Sequence, residues 1–245
     1  MGRLLPPLVG QPIVQSTGQS TVQCNLSVYT EHVLSVDIPD IINARRMVRS
    51  FSGRPLPAGM TTKLVSYARA APSAGNTSGW RAIILEDQDS ISSFWQAVTD
   101  AEWRAKSKRW NGLSRAPAAV VLLTNPKCYT DRYSLPDKIS AGLGNPPDGG
   151  SEQAWPIPYW YVDAGFAAML IMLGATDAGL GSLFLGNFRG EPELKRLLGI
   201  PEPWRHVGTV LIGYPDGNDY PSPSVRNHPG PNDRIYYGRW GVTEL

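Results

Sequence analysis

Apolar and polar positions fall in blocks along this chain, and the period of each block predicts an element. Ile38, Ile41 and Ile42, with Val48 beyond them, share one helical face. Asp37 stands before them as a cap, and Pro39 lies in the first turn, where proline is tolerated. That helix is expected to run into Arg45 and Arg46. Leu64, Val65, Tyr67, Ala68 and Ala71 recur at helical spacing and predict a second helix over 57–71. Residues 82–85 read as a short strand, and 90–106 as one amphipathic helix carrying Phe94, Trp95, Val98 and Trp103. The unbroken apolar run at 118–123 predicts a central strand buried on both faces. Residues 159–178 form the strongest helical pattern. They are apolar on most sides, as in a helix buried in a core or an interface. Strands are expected at 182–185 and 206–212, a short helix at 191–198, and a final strand at 235–240.

Three stretches break this patterning. Residues 71–80 are small and polar. Pro72 ends the preceding helix, Ser73, Ala74 and Gly75 carry little bulk, and Asn76 offers both a donor and an acceptor. A planar ligand fits against such a backbone, though a plain helix-to-strand loop has the same composition. Residues 125–158 hold six prolines and four glycines, punctuated by Tyr129, Arg132, Tyr133, Lys138 and Trp155. So long a connection reads as a lid over a site or as a loose surface insertion. Residues 1–36 are poor in core residues and read as a flexible tail or an arm, with Val22, Cys24, Leu26 and Val28 alternating. The globular part is expected to begin near Val36.

Composition removes several classes of function. The formal charge is +2, with no block of like charge, so no nucleic-acid partner is expected. Cys24 and Cys128 make no metal-ligand spacing, and His32, His206 and His228 are scattered. The apolar run at 164–176, bounded by Asp163 and Asp177, is expected to be too short to cross a bilayer. The first 20 residues have no apolar segment of signal type, and a cytoplasmic location is expected. Gly179-Leu180-Gly181 follows a helix rather than a strand, so it is not a dinucleotide fingerprint. No Gly-x-Ser-x-Gly elbow or Walker loop is present. What remains is Arg45, Arg46 and Arg49, three guanidiniums of the kind that pair with phosphate oxygens.

Arg45-Arg46-x-Val48-Arg49-x-Phe51, the 71–76 loop with Trp80, Asp163-Ala164-Gly165, Gly179-Leu180-Gly181 and Gly238-Arg239-Trp240 together resemble the flavin-dependent nitroreductase family over about residues 37–245. The resemblance implies an α+β fold, a mixed sheet flanked by helices, and an intertwined homodimer with FMN at its interface. Residues 125–158 would then be a lid insertion and 214–245 a C-terminal arm. Arg45, Arg46 and position 47 resemble the phosphate and ribityl contacts, with Met47 where a serine is common. Arg49 matches the basic residue at the pyrimidine edge of the flavin. Pro72, Ser73, Ala74 and Asn76 match the loop facing the flavin from the partner subunit. Leu185 and Gly186 match the backbone along the ring, and Arg226 and His228 match a second cationic cluster on the phosphate. Ser78-Gly79 stands where Gln-Pro is usual.

The resemblance further implies that NAD(P)H reduces FMN and that a nitroaromatic or quinone then takes the electrons, by a ping-pong scheme. No side chain need be catalytic. Arg49 would tune the flavin by stabilising the negative charge that reduction leaves near it. Tyr129, Tyr133, Trp155 and Trp160 are the expected stacking residues for a flat substrate. The alternatives are flavin storage or sensing without turnover, and flavin cleavage, dehalogenation or dehydrogenation on the same scaffold.

Overall fold

The computed structural model describes residues 37–144, 151–187, 189–219 and 234–243. The expected arm at residues 1–36 lies outside them. The elements run α1 (Ile38–Ala44), α2 (Met60–Tyr67), β1 (Trp80–Leu85), α3 (Gln88–Val98), α4 (Ala101–Lys106), α5 (Trp110–Leu113), β2 (Ala118–Thr124), α6 (Pro126–Tyr133), α7 (Tyr159–Asp177), β3 (Gly181–Leu185), α8 (Glu191–Leu197) and β4 (Arg205–Gly213). The fold is α+β. The four strands lie in the order β1-β2-β4-β3, and every ladder is antiparallel. The parallel component of the sheet is one isolated bridge between Met47 and Ser182.

β2 shows why the sheet sits where it does. All seven of its residues are buried. Successive side chains of a strand point to opposite faces. Ala119, Val121 and Leu123 accordingly enter one core with Phe94, Trp95, Val98 and Leu194, against α3 and α8. Ala118, Val120 and Leu122 enter the other, with Leu64, Ala167, Ile171 and Met172, against α2 and α7. Each fully buried Val or Leu contributes about 1.5–3 kcal/mol. The apolar run predicted this strand because it serves two cores at once.

Four expectations change. The first helix stops at Ala44, and Arg45 is extended (φ −55°, ψ 126°). Val48 is therefore not on its face but is buried with the α3 and α8 core. α1 buries none of its residues, and Ile38 and Ile42 are 69% and 55% exposed. The single helix expected over 90–106 is two. Thr99 is extended, Asp87 accepts from the Ser90 N–H at 2.7 Å, and Asp100 accepts from the Trp103 N–H at 2.6 Å. Each aspartate caps its own helix, and the amphipathic pattern ran across the break. The strand expected at 235–240 is instead a turn in which the Tyr237 N–H donates to the Val242 carbonyl at 2.7 Å. Finally, α7 has 19 residues and is long and apolar enough to cross a membrane by length and composition alone. Its inner face, from Trp160 to Ala175, is packed into the core, while Phe166 and Met169 on its other side are each 45% exposed.

The 125–158 stretch is partly ordered by its own core. Asn125 accepts from the Lys127 N–H at 2.9 Å and caps α6, with Pro126 in the first turn. Tyr129, Trp155 and Trp160 are 0%, 6% and 4% exposed and pack on one another edge-to-face. The Trp155 indole N–H donates to the Leu143 carbonyl at 2.9 Å. Arg205 pairs with Glu152 at 2.7 Å and ties the far end of the stretch to β4.

Candidate cofactor site

Beyond α1 the chain runs extended, and alternate apolar residues pin it down. Met47 bridges Ser182, and the Val48 N–H donates to the Ser182 carbonyl at 3.0 Å. Phe51 is fully buried, and its N–H donates to the Gly112 carbonyl at 3.1 Å. The arginines stand between these anchors. Arg49 donates from its backbone N–H to Asp219 Oδ2 at 3.0 Å and from Nη1 to the Met47 carbonyl at 2.9 Å. Arg46 is exposed, and its Nη1 donates to the Arg45 carbonyl at 2.9 Å and to that of Asn43. Arg45 is half-buried, and its buried Nη1 has no partner among the described residues.

Among the described residues the Thr61, Trp95, Trp160, Ser182 and Asn187 side chains also hold buried polar atoms without a partner, and of these Ser182 lies in β3 and Asn187 two residues beyond it. The Ser182 hydroxyl, across the bridge from Met47, is buried without a partner. Both ends of the Asn187 amide are buried and unpartnered as well. Asn187 directly follows Leu185 and Gly186, which are half-buried at the end of β3. An unsatisfied buried polar group costs about 1–3 kcal/mol, so a native site keeps one where a ligand completes it. A phosphate satisfies a guanidinium, and the edge of a flavin ring carries both donors and acceptors for an amide. The residues present therefore fit FMN. Sequence reasoning passed over Ser182 and Asn187, and the only signal for them was their place on either side of the 183–186 segment.

The 71–80 loop is a fixed structure. Gly75, Asn76 and Ser78 are left-handed, with φ of 62°, 56° and 50°. The Asn76 N–H donates to the Ser73 carbonyl at 2.9 Å, and the Ser78 N–H to Ser73 Oγ at 2.9 Å. The Ala74 N–H donates to Asp163 Oδ2 at 2.9 Å, and the same oxygen accepts from the Tyr129 hydroxyl at 2.9 Å. Burial, and then the bond to Asp163, push the Tyr129 phenol far above its ordinary range, so it stays a donor. Pro72 and Asn76 are exposed, and Ser73 and Ala74 are half-buried.

Of the four aromatic residues expected to stack on substrate, Tyr129, Trp155 and Trp160 turn out to be core residues. Their rings are spent on one another, which corrects that expectation. Tyr133 is half-buried at the edge of the cluster, 4.7 Å from the Trp155 ring, and is the one with exposure left. Arg226 and His228 lie outside the described residues.

Among the described residues, an unpartnered Arg45 guanidinium nitrogen thus stands two residues before the Met47–Ser182 bridge, and an unpartnered Asn187 amide just past β3, in an α+β fold. The chain belongs to the nitroreductase family, whose model matches residues 42–214. A protein of Archaeoglobus fulgidus named NADH dehydrogenase/NAD(P)H nitroreductase is 28% identical over 204 residues, 82% of this chain and 97% of that one. An NADH dehydrogenase of Thermus thermophilus is 27% identical over 188 residues, 73% of this chain and 86% of that one. Among solved structures, a nitroreductase of Exiguobacterium sibiricum in complex with FMN shares the fold. Its TM-score is 0.58 at 16% identity, covering 79% of this chain and 97% of that one.

Proposed function

We propose that this chain uses NAD(P)H to reduce a flat electrophile such as a nitroaromatic or quinone, through FMN and by a ping-pong scheme. The broader class rests on family membership and on the NAD(P)H-linked relatives. The single observation that carries the site is the buried Arg45 Nη1 without a partner. FMN, when bound, would accept a hydride from NAD(P)H and pass it to an acceptor using the same pocket in turn. Arg45 and Arg46 would hold the phosphate, with the Ser182 hydroxyl in support. Arg49 would stand at the pyrimidine edge and favour negative charge there. Leu185, Gly186 and Asn187 would lie along the ring. Tyr133 would offer its face to the substrate.

The flavin-binding unit in this reading is residues 37–245, with 1–36 as an extension and a cytoplasmic location where NAD(P)H is made. It works as a homodimer. A groove of about 930 Å³ between α1, α2 and α7 is lined by Ile38, Ile42, Tyr67, Leu170 and Leu173. Continuous with the exposed Phe166 and Met169 of α7, it supports a second copy of the chain as its cover. Pro72, Ser73, Ala74 and Asn76 would then face the flavin held by the arginines of the other chain.

The test is to release the cofactor by acid and weigh it, then to mix the protein with NADH and with NADPH anaerobically and follow flavin bleaching. FMN and bleaching, followed by reoxidation on adding a quinone, are expected. FAD, or a colourless protein that takes up no added FMN, refutes the cofactor. Intersecting double-reciprocal lines refute the ping-pong scheme, and FMN binding without bleaching moves the protein to storage.

A further inference from the structure

The 73–79 loop includes one conformation that its own sequence does not favour. Gly75 and Asn76 suit the left-handed region, but Ser78 also adopts it, at φ 50°, and for such a residue that costs about 1–2 kcal/mol. Such strain persists only where surrounding contacts over-determine the backbone.

Those contacts come from α6 and α7. Asp163, 2% exposed near the start of α7, accepts the Ala74 N–H and the Tyr129 hydroxyl, each at 2.9 Å. Arg132, three residues on from Tyr129 on α6, donates from Nε to the Gly75 carbonyl at 2.8 Å, and Asp137 holds its other end at 2.7–2.8 Å. The Tyr133 ring fills the space beside Gly75, where an added Cβ would lie 2.7 Å from it. At the far end, the Gly79 carbonyl accepts from the Asn125 N–H at 3.1 Å and from Thr124 Oγ1 at 3.2 Å. The Asp163 carboxylate has no ion-pair partner among the described residues, and burying an unpaired charge is costly. Its two hydrogen bonds both serve the loop, one directly and one through α6.

We propose that Asp163 is a positioning residue that, together with Tyr129, sets the backbone of the 74–76 turn and thereby couples α6 to the face that this loop presents to the cofactor. The coupling rests on the FMN reading above; the setting of the backbone does not. α6 is in this view a fixed buttress.

The experiment uses the full chain with Tyr129→Phe, Asp163→Asn, Asp163→Ala and the double variant Tyr129→Phe/Asp163→Ala. Amide hydrogen exchange at Ala74, FMN affinity by fluorescence quenching, and the midpoint potential at saturating FMN are measured. Tyr129→Phe keeps the ring in its cluster and folds. It should speed exchange at Ala74 about 3- to 10-fold, the loss of an ordinary hydrogen bond. Asp163→Ala should speed it about 10- to 100-fold, the loss of a charged one, and the double variant no further, because Tyr129 acts through Asp163. Asp163→Asn should restore much of the protection, since its amide oxygen still accepts the Ala74 N–H. FMN affinity and the midpoint potential should shift in the same rank order, while exchange in β2 stays at its wild-type rate. The proposal is overturned if Tyr129→Phe and Asp163→Ala leave Ala74 exchange at the wild-type rate, or if all amides speed up together. A wild-type protein that binds no FMN would sink the FMN reading and the coupling. The Ala74 exchange rates would still decide whether Asp163 sets the backbone.

Discussion

Single side chains at the site differ in what they have left to give a ligand. Arg46 has its Nη1 on two backbone carbonyls, whereas the buried Nη1 of Arg45 has no partner among the described residues. Arg45→Ala should therefore weaken FMN binding about 10- to 100-fold, the worth of a charged hydrogen bond of about 1.5–3 kcal/mol. Arg46→Ala should cost less, and fluorescence titration reads both. Arg49→Ala should instead lower the potential of the retained flavin, which a redox titration measures. Equal losses of affinity with unchanged potentials would refute this division of roles. His206 lets pH be used in the same way. Burial lowers its pKa from the usual 6.5, against a smaller opposing pull from Glu191. The unfolded chain thus binds a proton at a higher pH than the folded one. Stability from this residue is full above about pH 6.5 and falls as pH drops through that value toward the folded pKa. Chemical denaturation at pH 7.5 and 5.5 should show a smaller loss for His206→Gln than for the wild type.

At the scale of elements, close packing of α6 on the 71–80 loop gives the sharpest expectation. Gly79 is buried, and a Cβ there would collide with the Tyr129 ring. Gly79→Ala should destabilise the protein by about 1–3 kcal/mol, as overpacking does, and urea denaturation measures it. An unchanged midpoint would mean that α6 yields freely. The sequence showed β2 and α7 plainly, because both are long and apolar without interruption. The family was legible too, because the arginines, the 71–76 loop and the later motifs occur in an ordered set. The sequence hid the break at Thr99, since Asp100 caps a new helix inside a continuous amphipathic pattern. It also hid the fate of Tyr129, Trp155 and Trp160. Nothing in a Pro- and Gly-rich stretch tells an aromatic that stacks on a ligand from one that builds a small core.

At the scale of the whole molecule, Ile38 and Ile42 of α1 and Phe166 and Met169 of α7 are each 45% exposed or more. If a second copy covers them, Met169→Glu should give monomers by sedimentation and abolish turnover. If each site draws on both chains, Arg49→Ala and Asn76→Trp protomers, each inactive alone, should recover part of the activity when unfolded and refolded together. A mixed dimer would carry one doubly damaged site and one intact site. No recovery, or an active monomer, would place the whole site on one chain.

The strict division of β2 between two cores limits how the gene can change length. One residue inserted or deleted inside residues 118–124 would turn every β2 residue on one side of the change to the opposite face, so that part of each core's set would point into the other. Both cores would be misfilled by a single codon. The exposed turn at 139–142 can take up such changes with far less harm, so related sequences should differ in length there and keep β2 free of gaps.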